Sequence, residues 1–399
     1  MTRNSPMQLG LVSHENERWI AGVLYIQTVM RAMAALPSAQ QPDMHLWLRR
    51  GSDPSFHQAH EDLIRSKHVY DALSHQGFAN TIKFHRRSLV RHGRLSRSLV
   101  EHAAEAGMEL LFPCHQSLGP AAPLPWIGWI PDFQHLHLPE LFSESARNKR
   151  DRVYGAMIHE ANHMVVSSET ARCDLLDAYD ADPQQLSVYR FRTWADPAWF
   201  EDDPRQLADK HGLPKRFLMF PSQFWRHKDH LVLFEALKQL KGSGEEVHLV
   251  LTGKDKDYRH PDHAPMLHDY LQQHELESQV HYLGLLPRHE QIQLMRCAAA
   301  VVQPSRFEGW SMLVEDCRAL GKKMILSDIA VHQEQDPPQA CYFPVGDAGA
   351  LADVIADQWP SLIPGPDLDA ENQAREENAR LILEGGQSLM QVFEQVLKS

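Results

Sequence analysis

The stretch AAVVQPSRFEGWSMLVEDCRALGKKMILSD, residues 299–328, decides the fold. An apolar run ends in Pro-Ser, a carboxylate and a glycine follow, a helical pattern carries the chain away, and a second apolar run returns it. That is strand, turn, helix, strand. Glu308 leaves the strand end, Gly309 permits a tight turn, and the helix starts with free N–H groups near Ser311 and Met312. Such a helix start suits an anion, because the unpaired N–H groups and the macrodipole act together. Beside it, Glu308 is suited to accept hydrogen bonds from sugar hydroxyls.

Outward from this stretch the pattern repeats. FLMFPS (217–222), HLVLTG (248–253) and VHYLG (280–284) read as buried parallel strands. Between them HLVLFEALKQL (230–240), MLHDYLQQHEL (266–276) and EQIQLMRCA (290–298) carry apolar residues at helical spacing. Toward the N-terminus, strands are expected at 8–13, 44–50, 108–113, 125–130, 163–168 and 186–191, with helices over 20–36, 145–160 and 169–179. The class is therefore α/β, with two Rossmann-like doubly wound domains facing a cleft. The expected division is 1–205, 206–365 and a C-terminal helix in 366–399 that packs back on the first domain. The connection is read in 192–216, rich in Pro, Trp and charge.

Bulk properties narrow the function. With 399 residues, two domains with full cores are expected. The balance of 40 Lys+Arg against 52 Asp+Glu, net -12, argues against a nucleic-acid partner. Five scattered cysteines, never spaced as CxxC, suggest a reducing cytoplasm. No leader-like start and no run of 18 apolar residues is present, so any membrane contact is expected to be peripheral, at the inner face.

The 299–328 stretch resembles the signature of glycosyltransferase family 4, retaining enzymes of the GT-B fold, and the resemblance runs from Phe217 to about Trp359. It implies a nucleotide-diphosphate sugar donor, UDP- or GDP-linked, and a glycan or lipid-linked acceptor, as in surface polysaccharide synthesis. The family's acid-x7-acid pattern starts at Glu308 and reaches Asp316, with Glu315 one position early. Neighbouring helix residues point about 100° apart, so one of the two acids is expected at the ribose, and spacing favours Asp316. Gly309, Trp310, Ser311 and Met312 fall between them. In PSQFWRHKDH (221–230), Lys228 matches the family's diphosphate lysine. Gln223 stands where an arginine is expected, and Arg226 is a candidate substitute. The resemblance places Gly253 beside the nucleotide and the backbone around Leu286 at the base. It also places Gly22 in a glycine loop facing the phosphates, although Val23 replaces a second glycine. WIPDFQHLH (129–137) resembles the acceptor-side loop. Pro131 takes the place of its histidine, which leaves Asp132 and His135 as catalytic candidates beside Lys228 and Glu308. No cofactor and no metal are expected, since side chains and helix dipole would neutralise the diphosphate.

Other readings compete. His159-Glu160-Ala161-Asn162-His163 is a literal HExxH, the zinc-hydrolase pattern, but His163 opens an apolar run that reads as strand. Neither GxGxxG after a strand nor GxxxxGK[ST] occurs. A sugar-nucleotide epimerase of the same fold, or a catalytically weak sugar-nucleotide-binding subunit, keeps the architecture and changes the activity.

Overall fold

The computed structural model describes residues 5–13, 20–70 and 97–398. Two compact units divide the chain: 1–133, 143–192 and 380–399 form one, and 134–142 with 193–379 form the other.

The first unit is built on a seven-stranded parallel sheet. Its strands are β1 (Gln8–Val12), β2 (Asp43–Arg49), β3 (Ser66–Tyr70), β4 (Leu110–Cys114), β5 (Trp126–Ile130), β6 (His163–Val166) and β7 (Leu186–Val188). The order is β3-β2-β1-β4-β5-β6-β7. Strands β4, β5 and β6 are buried along their whole length, which is why they read as unbroken apolar runs. Within this unit the end of the long helix Leu368–Val396 lies against the helix Ile20–Ala34. Gly386 makes that approach possible: a Cβ there would sit 2.3 Å from the Ala32 carbonyl oxygen.

The second unit has six parallel strands: β8 (Leu218–Pro221), β9 (Leu249–Thr252), β10 (Val280–Tyr282), β11 (Ala300–Gln303), β12 (Met324–Ser327) and β13 (Cys341–Phe343). Their order, β10-β9-β8-β11-β12-β13, is that of a doubly wound fold. Winding reverses between β8 and β11, so the loops leaving the carboxyl ends of these adjacent strands diverge and open a crevice. Both candidate loops, after Pro221 and after Gln303, start there.

Several expectations shift. The second unit takes up chain at Thr193, earlier than the expected boundary at 206, because Trp199 belongs to its core and Ala195 and Phe200 pack against it. It also claims 134–142, where Leu138, Leu141 and Phe307 cluster with Phe142. Strands β3 and β13 lie outside the strand expectations. The HExxH histidines sit on different elements: His159 is in the last turn of helix Glu144–Glu160, while His163 opens β6 and its Nε2 lies 2.9 Å from Ser187 Oγ.

Candidate donor site in the second unit

At the end of β11, Glu308 meets Lys228 from the end of β8. Lys228 Nζ donates to Glu308 Oε1 at 2.6 Å, and the Glu308 side chain is only 10% exposed. Burial works to raise the Glu308 pKa. The positive charge of Lys228, aided by His227 and by hydrogen bonds from Lys228 and Ser305, outweighs it and holds the carboxyl down at about 2. Glu308 is therefore a fixed carboxylate at any physiological pH. The loops are also joined through the main chain, with Arg306 N donating to His227 O at 2.8 Å.

Gln303, the last residue of β11, organises the rest. Its Nε2 donates to Glu308 Oε1 at 2.8 Å, and its Oε1 accepts from Ser311 Oγ at 2.8 Å. Ser311 is the N-cap of the helix Met312–Ala319, accepting from Val314 N at 3.3 Å. Capping secures the Val314 amide, while the first N–H groups of a helix have no intrahelical acceptor. One amide side chain thus links the acid to the helix start where an anion would dock. The sequence carried a signal for Gln303, a lone amide closing an apolar strand, that the reading above passed over. Gly309 lies in the turn between Glu308 and Ser311, and Trp310 is buried.

The two acids of the helix part as their spacing requires, but both are engaged within the protein. Glu315 is fully buried, accepts from Gln335 Nε2 at 2.8 Å and lies 3.6 Å from Arg318 Nε. Gln335 also clamps Ser311, accepting from its N and donating to its O, each at 3.0 Å. Asp316 is 2% exposed and held by both Nη atoms of Arg288, at 2.6 and 2.5 Å, with Thr193 Oγ1 donating at 2.7 Å. A free carboxylate at this position is replaced by a bidentate ion pair. Arg288 and Thr193 lie too far along the chain for spacing to reveal them.

The remaining candidates lie on the loops after β8, β9 and β10. Gly253 has φ +114°, and a Cβ there would meet Ser222 O at 2.6 Å, so only glycine lets the loop after β9 close on the loop after β8. Leu286 is half-buried against the core. Gln223 accepts from Trp225 Nε1 at 2.7 Å, and Arg226 is exposed, its N donating to Asp257 Oδ2 at 3.3 Å.

In the first unit, Asp132 pairs with Arg150, Oδ1 to Nη1 at 3.1 Å. Gly22 lies inside the helix Ile20–Ala34, within the helix expected over 20–36, and 14–19 before it fall outside the described residues. His135 sits in the short helix Gln134–His137 of the second unit, 2% exposed and edge-on to Phe142.

Residues 204–357 match the family described as glycosyl transferases group 1. The chain carries a group 1 glycosyltransferase domain. Solved structures match over the whole length. HepE of Anabaena, in complex with UDP and glucose, is 15% identical with a TM-score of 0.67, covering 97% of this chain and 99% of its own. Sucrose-phosphate synthase of Thermosynechococcus elongatus is 16% identical with a TM-score of 0.66, covering 98% and 99%. A glycosyltransferase of Rickettsia africae is 15% identical, with a TM-score of 0.66 and full coverage of both chains. Among curated protein sequences none matches significantly. At these identities the likeness is one of fold: the chain shares with these glycosyltransferase structures two Rossmann-like parallel-sheet units, and the group 1 match lies within the second of them.

Proposed function

We propose that the protein is a retaining, metal-independent glycosyltransferase that moves a sugar from a nucleotide diphosphate to a glycan or lipid-linked acceptor. The carrying observation is the buried Glu308 carboxylate, paired with Lys228 and tied through Gln303 to a capped helix start. A sugar presents hydroxyl donors and a diphosphate presents anionic acceptors. The pair offers one acceptor-only group and one cation within hydrogen-bond distance of each other.

In this reading the diphosphate takes over Lys228 Nζ and the amides opening the helix Met312–Ala319, while Glu308 accepts from sugar hydroxyls. The bond from the anomeric carbon to the diphosphate oxygen breaks as the acceptor oxygen bonds to that carbon on the same face. The acceptor proton passes to the departing phosphate. Lys228 and the helix start stabilise the charge that develops on the leaving group. Asp132 and His135 are proposed to orient the acceptor hydroxyl. HepE has been solved with UDP and with UDP-glucose, which supports testing a uridine donor first. Synthesis of a surface polysaccharide on the cytoplasmic side of a membrane is the proposed setting. One observation favours a second reading, a weakly catalytic binding subunit: Gln223 brings no charge and its oxygen is engaged by Trp225.

The test is calorimetry and thermal shift with UDP, GDP, ADP, CMP and dTDP, with and without EDTA, followed by turnover of the matching sugar nucleotide. One diphosphate should bind saturably, be indifferent to EDTA and lose its affinity in Lys228→Ala and Glu308→Ala. Binding without turnover would favour the subunit. Absence of any nucleotide binding would sink the donor site.

A further inference from the structure

We propose that Arg259 is the second cation of the donor site, donating to a phosphate oxygen of the nucleotide diphosphate. The inference rests on the reading above that such a ligand binds here. Charge bookkeeping raises the need. Lys228 is matched by Glu308, Arg318 by Glu315 and Arg288 by Asp316. Each cation within these pairs already faces a carboxylate, while a diphosphate brings two or more negative charges. A site for it therefore calls for a further cation with donor atoms to spare, and Arg259, although 3.5 Å from Asp257, has them.

Arg259 lies in the segment that follows β9, the neighbour of β8, and this segment is fastened to the Lys228 loop. Asp257, 2% exposed, accepts from Arg226 N at 3.3 Å through Oδ2 and from Arg259 N at 2.9 Å through Oδ1. The guanidinium is stacked between two rings, its carbon 4.4 Å from the centroid of Trp225 and 5.2 Å from that of Phe142. Trp225 is the same indole that donates to Gln223, so a fixed positive group lies one ring away from the uncharged residue at 223. The stacking sets the plane of the fork and leaves its edges to hydrogen bonding.

Those edges are incompletely used. Nη1 reaches Gln134 Oε1 at 3.4 Å, and Nε lies 3.5 Å from Asp257 Oδ1 without making a hydrogen bond. Nη2 is buried and, among the described residues, has no hydrogen-bond partner. The side chain as a whole is 14% exposed. A charged donor kept from water without an acceptor is costly and calls for one, and a phosphate oxygen is the acceptor a guanidinium fork fits best.

The experiment compares a nucleoside diphosphate with its monophosphate, UDP against UMP and GDP against GMP, by calorimetry on the full chain. Arg259→Gln is expected to weaken diphosphate binding about tenfold or more while changing monophosphate binding less than about twofold. Introducing Gln223→Arg into that variant should recover part of the lost diphosphate affinity, an outcome that lost packing would not give. Equal losses for both ligands, or none for either, overturn the proposal. Should Arg259→Gln fail to fold, Arg259→Lys carries the test. It keeps the charge but not the fork, so a several-fold loss confined to the diphosphate is expected and unchanged affinity overturns the proposal. A wild-type protein that binds neither diphosphate refutes the donor site itself. A wild type that binds while its Arg259 variants discriminate as well as it does refutes only the role of Arg259.

Discussion

Pairing Glu308→Gln with Lys228→Met, singly and together, measures how strongly the two halves of the candidate site hold each other. The Glu308 carboxyl moves from 4.5 to about 2 in the folded protein. A drop of that size corresponds to roughly 3 kcal/mol favouring the ionised form in the folded state. Because the folded pKa is depressed, this contribution is complete above the unfolded value of 4.5 and is lost as pH falls toward about 2. Linkage then leaves roughly two thirds of it at pH 3.5. Urea unfolding of the four proteins at pH 7 and pH 3.5, followed by tryptophan fluorescence, yields the coupling energy of the cycle. About 3 kcal/mol at pH 7, falling on acidification, is expected. A coupling below about 0.5 kcal/mol at pH 7, the size of an exposed pair, would refute the argument. So would a coupling that grows toward acid.

Glu371→Leu should destabilise the protein by about 3–5 kcal/mol, read from thermal unfolding, because it strands a buried guanidinium. Arg296, 2% exposed, is held bidentately by Glu371 at 2.8 and 3.1 Å, and its Nη1 already serves the Trp199 and Asp202 carbonyls. Adding Arg296→Met should recover much of that loss. His332 is buried and its pKa is lowered to about 4, chiefly by burial. The unfolded chain therefore binds more protons than the folded one below 6.5, and stability falls as pH drops from there toward 4. His332→Leu should flatten that slope in thermal melts taken across the same range, and an unchanged slope would refute the assignment.

How much was legible follows from chemistry that is local in sequence. The inner strands of both sheets are apolar on both faces, so AVVQ and MILS announce themselves as buried parallel strands. Strand β3, SKHVY, alternates half-buried and exposed residues before a buried Tyr70 and sits at a sheet edge, and β13 has only three residues. Neither makes an apolar run, and both went unread. At the site, Glu308 stood out because it follows a strand end closely, and Lys228 because it matches a lysine of the family that the sequence resembles. The partners that fix them are distant in the chain. Gln335 reaches back across helix and strand to Ser311 and Glu315, and Arg288 crosses to Asp316. The spacing argument separated Glu315 from Asp316, yet it could not show that each already had a cationic neighbour. The apolar residues around Gly22 continue a helix, as their spacing over 20–36 leads one to expect.

The helix Leu368–Val396 is divided at residue 380, its earlier part going with the second unit and its later part with the first. That division has a consequence for the protein's birth on the ribosome. The second unit has all of its chain once residue 379 has emerged, whereas the first, begun hundreds of residues earlier, still waits for the segment that lays Gly386 against Ala32. The usual N-terminal-first order of domain completion is thereby inverted. The unit met first along the chain is the one completed later.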